Sequence, residues 1–178
     1  MKIYTKKGDE GKTHGPRNKQ VTKDDLVVSV FGKIDEAQAT IGVLYETLRI
    51  DKNKYIINND ILLNQLEHLL PYFYQISASI YLGRNEFKEG LDKKLEDWID
   101  LFDSHLKPLH DFILPIGSLS SSYSHLSRVK VRELERIFIT WDKDLKYKEI
   151  RKFLNRLSDY FFNLSRILSL HEQISKSS

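Results

Sequence analysis

Over residues 147–174 the chain repeats apolar side chains at threes and fours: Ile150, Phe153, Leu154, Leu157, Phe161, Leu164, Ile167 and Leu168. That period matches a helical turn and leaves Asn155, Asp159 and Arg166 on a polar side. A strand would send the same residues to both of its faces. An apolar stripe this long has to be covered by other helices, so it constrains the fold more than any other feature of the sequence.

The remaining apolar stretches keep the same period. Thr22 followed by Asp24 and Asp25 predicts a helix start, with the acids where the helix dipole favours them. Leu26, Val30, Ile34, Ile41, Leu44 and Leu48 then carry that helix to about residue 49. Gly32 and Gly42 cost it stability unless another helix or a ligand comes close there. A second helix is expected over 55–82, with Ile56, Leu62, Leu66, Leu69, Phe73, Ile76 and Ile80 in the core and a kink at Pro71. A shorter one is expected over 88–105, carrying Leu91, Leu95, Trp98, Ile99 and Phe102. Pro115 and Gly117 punctuate the chain, Ser118 is a plausible N-cap, and Leu119, Tyr123, Leu126, Leu134, Ile137, Phe138 and Trp141 give a fourth helix its apolar face. No strand pattern or repeat stands out. The expected fold is all-α, a bundle of about four long helices and one short one.

The chain of 178 residues is long enough for one well-buried domain, 1–178, with an arm over 1–23 and a helical bundle over 24–175. No apolar run approaches the roughly 20 residues needed to cross a bilayer. The first residues lack the apolar core of a secretory signal, and the absence of cysteine excludes disulfides, thiolate metal sites and a cysteine nucleophile. A cytoplasmic location follows. The net charge of +3 resides in the arm, because residues 1–25 hold seven Lys/Arg against four Asp/Glu and residues 26–178 hold 21 of each. Later basic residues are interleaved with acids, which argues against nucleic-acid binding, yet a basic arm suits a compact polyanion such as a triphosphate.

The arm contains Gly8, Gly11, Gly15 and Pro16 and almost no apolar residue. GDEGKT is not a P-loop: that motif needs four residues between its glycines, and only two separate Gly8 from Gly11. Its composition fits a flexible terminus or a phosphate-binding loop equally.

Arg128 and Arg132 lie four residues apart on the fourth helix, with Glu135 on the same side. Two such arginines repel unless a carboxylate from elsewhere or a bound anion answers them. They read either as a solvated face, with Arg132 paired to Glu135, or as an anion site. Asp35 is either an exposed acid or a partner for one of them. The aromatic in FILP, Phe112, offers a flat apolar wall just before this helix, a combination suited to a ligand with a large ring and phosphates. His68 has no companion ligands at metal spacing and no assigned role.

Four stretches, in order, resemble the PduO-type ATP:cob(I)alamin adenosyltransferases. IYTKKGDEGKT resembles the family's Y-T-x-T-G-D-x-G-x-T loop, and KDDLVVSVFGKIDEAQATIG its K-D-x-x-x-V-x-A-x-G-x-x-D-E-L-N-x-x-I-G helix. FILPIGSLSSSYSHLSRVKVRELER resembles the F-I-L-P-G-G-S hinge with the H-x-A-R-x-x-x-R-R-A-E-R helix, and LNRLSDYFFNLSR the closing L-N-R-L-S-D-Y-L-F-x-L-A-R. The resemblance implies a ferritin-like five-helix bundle with an ordered nucleotide-binding arm, assembled as a homotrimer with sites between subunits. The implied reaction transfers the 5′-deoxyadenosyl group of ATP to the cobalt of cob(I)alamin, releasing triphosphate. Thr5, Gly8, Asp9, Gly11 and Thr13 would then form the ATP loop with Lys23. Arg128, Arg132, Glu135 and Asn155 would surround the nucleotide, with Glu135 a contact for its Mg2+, and Asp35 would pair with Arg128 across the subunit interface. Phe112 resembles the aromatic that closes on the lower face of the corrin and displaces the axial ligand. A cobalamin reductase and an adenosylcobalamin-dependent enzyme are the implied partners, with neither nucleic acid nor membrane.

The chain departs from these patterns at Lys7, where the family usually has Thr, in the shortened continuation HGPRNKQ, and at Glu133, which replaces a basic residue. All three are expected on the nucleotide side of the site. Gln38 replaces an Asn, and Ser120, Ser121 and Ser122 replace small apolar residues at a helix contact. The other reading is a non-catalytic relative that binds nucleotide or corrinoid as a sensor or carrier.

Overall fold

The computed structural model describes residues 8–176, the last six as helical backbone alone. Thr5 and Lys7 lie outside the described residues. Five helices follow one another: α1 (Leu26–Ile50), α2 (Asn59–Leu82), α3 (Leu91–Asp103), α4 (Leu119–Trp141) and α5 (Lys148–Lys176). Ahead of them the arm folds into a small antiparallel hairpin that the sequence did not announce. Its strands β1 (Lys12–His14) and β2 (Gln20–Thr22) pair Thr13 with Val21. Strands of three residues are too short for any alternation to register.

Helix α5 is central. Ile150, Phe153, Leu154, Leu157, Phe161, Leu164, Ile167 and Leu168 are all fully buried, as their spacing demands. Truncating a buried aromatic such as Phe153 to Ala would cost about 3–5 kcal/mol. α5 packs on α3 and α4, α4 packs also on α1, and α1 on α2. Tyr160, buried among these rings, donates its hydroxyl to Gln65 Oε1 at 3.1 Å. Burial pushes its phenol well above the usual range.

Helix boundaries differ from the expected ones for local reasons. Asp25, not Thr22, caps α1, accepting from the Val27 amide at 2.9 Å, because Thr22 is taken up by β2. α2 begins at Asn59, four residues late; Asn58 caps it, accepting from the Asp60 amide at 2.8 Å. Ile56, expected in the core, is therefore exposed, while Tyr55 and Ile57 are buried in the preceding turn. α2 runs unbroken through Pro71, which sits on its exposed side. At its end Gly83 is left-handed (φ 66°), which favours glycine, and the Arg17 guanidinium of the arm packs 2.7 Å from where a Cβ would stand.

The α4 seam also differs from its expected form. Leu119 and Leu126, placed on the apolar face by their spacing, are exposed, and the buried positions in that half of the helix are Ser120, Ser121, Ser124, His125 and Ser127. Small side chains let α4 approach α5 closely, and α5 carbonyls satisfy two of the hydroxyls. Ser121 donates to Ser165 and Ser124 to Phe161, both at 2.9 Å. Gly32 and Gly42 on α1 have open space where a Cβ would stand, so none of the described residues packs there. No helix among the described residues is long and apolar enough to cross a membrane.

Candidate active site

The hairpin gathers the arm residues that the sequence singled out. The Gly11 amide donates to the Gly8 carbonyl at 3.2 Å, and the Lys23 amide to the Gly11 carbonyl at 2.8 Å. A Cβ at Gly8 would stand 3.2 Å from Lys23 Nζ, so the ammonium lies directly against the turn. Thr13 is half-buried within β1, and Asp9 is exposed beside them. The arrangement sets one cation against a tight glycine turn, a setting suited to an anion.

Helix α4 carries the second group. Arg128, Arg132 and Glu135 follow at intervals of four and three and fall on one side. Arg132 is exposed and forms no ion pair among the described residues, so the pairing of Arg132 with Glu135 is not made. Glu135 instead accepts from Asn155 Nδ2 of α5 at 3.1 Å. The Arg128 guanidinium lies 5.7 Å from the centre of the Phe162 ring, and Arg166 covers the same ring at 5.9 Å. Arg128 Nε is buried without a hydrogen-bond partner. Asp35 stands exposed on α1 and forms no hydrogen bond or ion pair within the chain among the described residues. Neither does any such bond join the hairpin to Arg128, Arg132, Glu135 or Asn155. The fold thus brings Glu135 to Asn155 and the arm residues to one another, and it leaves Asp35 apart from Arg128.

Glu133 corrects the sequence reading. It lies 2.9 Å from Lys33 of α1, and Lys130 lies 2.9 Å from Glu36, so the four residues form a square of alternating charge over the α1–α4 seam. Its carboxylate points at α1 and not along the side that carries Arg132. The partners hold both Glu36 and Glu133 below the usual carboxylate range and both lysines above theirs, with hydrogen bonding across the pairs the main cause.

The third group is the loop between α3 and α4. Phe112 is completely exposed, and Leu114, Ile116 and Leu119 project with it at 72%, 69% and 64% exposure. An apolar tongue of this kind marks a binding surface. Gly117 ends it with φ 151°, and a Cβ there would meet Ser169 Oγ at 3.0 Å. Ser118 then caps α4 as expected, accepting from the Ser121 amide at 3.0 Å. Beneath the tongue lies a cavity of about 330 Å3 lined by Leu106, Ile113, Ile116, His125, Arg166 and Leu170, among others. The sequence reading missed this cavity and His125 in particular, although His125 stands one turn before Arg128 on the same side of α4.

The profile of the cobalamin adenosyltransferase family matches residues 3–168. The chain belongs to that family. It is similar to the corrinoid adenosyltransferase MMAB of Mus musculus, 33% identical over 175 residues that cover 96% of this chain and 74% of the relative. It is 31% identical over 171 residues to the corrinoid adenosyltransferase of Citrobacter freundii, covering 93% and 94% of the two chains. The fold superimposes on a variant of the PduO-type ATP:corrinoid adenosyltransferase from Lactobacillus reuteri complexed with cobalamin and ATP, with a TM-score of 0.82 and 28% identity over 97% of this chain and 93% of that one. Among the adenosyltransferase residues described here, no group of three or more His, Asp or Glu forms a metal cluster.

Proposed function

We propose that this corrinoid adenosyltransferase works as a homotrimer in which the hairpin of one subunit meets the α4 stripe of the next, with ATP held between them. One observation carries the reading: Arg128 and Arg132 find no carboxylate within their own chain among the described residues. Arginines so placed need an anion or a neighbour's acid, and Asp35 is the exposed acid that a neighbour can offer. The open faces agree with this, since a Cβ at Gly32 or Gly42 would meet none of the described residues and Val43, Leu126 and Val129 are exposed at 43%, 42% and 49%.

The reaction forms a cobalt–C5′ bond while the C5′–O bond to the triphosphate breaks. Co(I) supplies the electron pair for the new bond, and the old bonding pair departs on the triphosphate. No side chain has to act as nucleophile or base. The protein's contribution is to align C5′ with the cobalt, stabilise the leaving charge and exclude water. In our reading Gly8, Asp9, Gly11 and Thr13 cradle the phosphates with Lys23, joined by Thr5 from outside the described residues. Arg128 and Arg132 meet the developing charge. Mg2+ neutralises part of that charge when bound. Glu135, oriented by Asn155, would hold it, and a single carboxylate suits an ion that takes most of its ligands from phosphates and water. Phe112 closes the tongue on the lower face of the corrin in place of the axial ligand.

In this reading the enzyme is cytoplasmic and stands between a cobalamin reductase that supplies Co(I) and an enzyme that consumes adenosylcobalamin. The test is anaerobic incubation of MgATP with chemically reduced cob(I)alamin, following loss of the Co(I) absorbance and identifying the product by chromatography. Adenosylcobalamin and triphosphate in equal amounts, from a protein that sediments as a trimer, are expected. A folded protein that gives no product would overturn the reading in favour of a carrier or sensor.

A further inference from the structure

His125 is 5% exposed, its Nδ1 is buried without a hydrogen-bond partner, and its ring lines the cavity beneath the apolar tongue. A buried polar group left unpaired is unfavourable, because no hydrogen bond offsets its loss of water. The other polar groups around the cavity are already occupied or lie in solvent. Arg166 donates to the Lys107 carbonyl, Ser169 donates to the Ser165 carbonyl at 2.9 Å, and His105 Nδ1 lies 2.9 Å from the Leu101 carbonyl. Lys107 is exposed. His125 is therefore the buried polar group, among the described lining residues, that still has a hydrogen bond to make.

We propose that His125 is a substrate-contact residue that hydrogen-bonds a carboxamide arm on the rim of the corrin ring as the tongue closes over it. Burial, and secondarily the Arg128 charge, depress the imidazole below its ordinary value and keep it neutral near pH 7. A neutral imidazole has one N–H and one lone pair. A primary carboxamide offers the complementary carbonyl and N–H, so either tautomer finds a match. A cavity of about 330 Å3 is too small for a whole corrin and large enough for its edge with one or two arms, among apolar walls that suit the ring methyls. His125 also stands one turn from Arg128, which couples the corrinoid edge to the nucleotide side through a single helix.

This inference rests on the corrinoid lying against the tongue, as proposed above. The experiment titrates cob(II)alamin into the ATP-loaded protein and reads binding from the absorbance change, for wild type, His125→Phe and His125→Gln, each checked for helical content and oligomeric mass. His125→Phe should weaken cobalamin binding about 10-fold with the ATP dissociation constant unchanged, while His125→Gln, which retains a donor and an acceptor, should recover most of the loss. Wild type should also prefer cobinamide over a corrinoid whose side arms are carboxylic acids, and His125→Phe should lose most of that preference. Unchanged cobalamin binding in His125→Phe would overturn the assignment, as would equal weakening in both variants or an equal fall in ATP affinity. Failure of the activity itself reads differently: wild type would then yield no adenosylcobalamin, and the His125 assignment would still stand or fall on the binding titration.

Discussion

Lys33 of α1 and Glu133 of α4 meet at 2.9 Å, closing a charge square with Glu36 and Lys130 across the seam between the two helices. Glu133 is therefore a structural partner of α1, and Glu133→Gln should leave the KM for ATP within about two-fold of wild type. Its effect should appear in stability and depend on pH. Glu36 and Glu133 titrate below the ordinary value of 4.5, so their contribution is complete above that value and is lost as pH falls through the depressed ones. Lys33 and Lys130 titrate above 10.5, so theirs is complete below 10.5 and is lost as pH rises past it. Thermal unfolding should show Glu133→Gln less stable than wild type at pH 7 and indistinguishable from it in acid. A constant gap across that range would contradict the pairing.

Glu135 owes its orientation to Asn155, whose Nδ2 donates to Oε1 at 3.1 Å. Removing a hydrogen bond that orients a metal-binding carboxylate typically lowers metal affinity about 10-fold or more. Asn155→Ala should accordingly raise the Mg2+ concentration for half-maximal rate by about that factor, with little change in the maximal rate at saturating Mg2+. Rates measured against Mg2+ at fixed ATP decide it, and coincident curves would remove the proposed role.

The Phe112 ring is fully exposed among the described residues. Phe112→Ala should thus change unfolding free energy by no more than about 0.5 kcal/mol. Adenosylation should nevertheless slow severely while ATP affinity stays near wild type, because the ring's proposed partner is the corrin. Normal turnover of this variant would show that the tongue acts without it.

The helical stripes were legible because burial repeats with the helical period, and α5 turned out as its spacing demanded. Burial and helicity are separate properties, however: Ile56 was read as the first core residue of α2, whereas it is exposed and the residues buried ahead of the helix are Tyr55 and Ile57. The serine-lined seam was hidden because serine reads as polar until a facing carbonyl is known to accept from it. Arg128, Arg132 and Glu135 were legible as a stripe, whereas Glu133 was misplaced because neighbours in sequence project about 100° apart on a helix. His125 was hidden for a related reason: its significance lies in a cavity made by three distant segments.

Arg132 is exposed and unpaired within the chain among the described residues, so replacing it breaks no internal contact. If it meets the leaving phosphates, Arg132→Ala should cost about 2 kcal/mol in kcat/KM for ATP. Arg132→Lys should recover part of this, because a lysine keeps the charge and loses the planar fork. Stopped-time assays over a range of ATP concentrations separate the variants, and wild-type kinetics for Arg132→Ala would move the anion site elsewhere.

Asp51 ties the end of α1 to the start of α4. Its Oδ2 accepts from the Tyr55 hydroxyl and from Ser120 Oγ at 2.9 Å, and Ser120 is fully buried. Asp51→Ala strands a buried hydroxyl on α4 and should cost about 1–3 kcal/mol of stability. Ser120→Ala removes the stranded group along with the bond and should cost less. The double variant should then be more stable than the sum of the single losses predicts, a coupling of about 0.5–3 kcal/mol. Denaturant unfolding of the four proteins measures that coupling directly. Strict additivity would mean that Asp51 holds the junction without Ser120, leaving Ser118 and its helix cap to fix where the tongue ends.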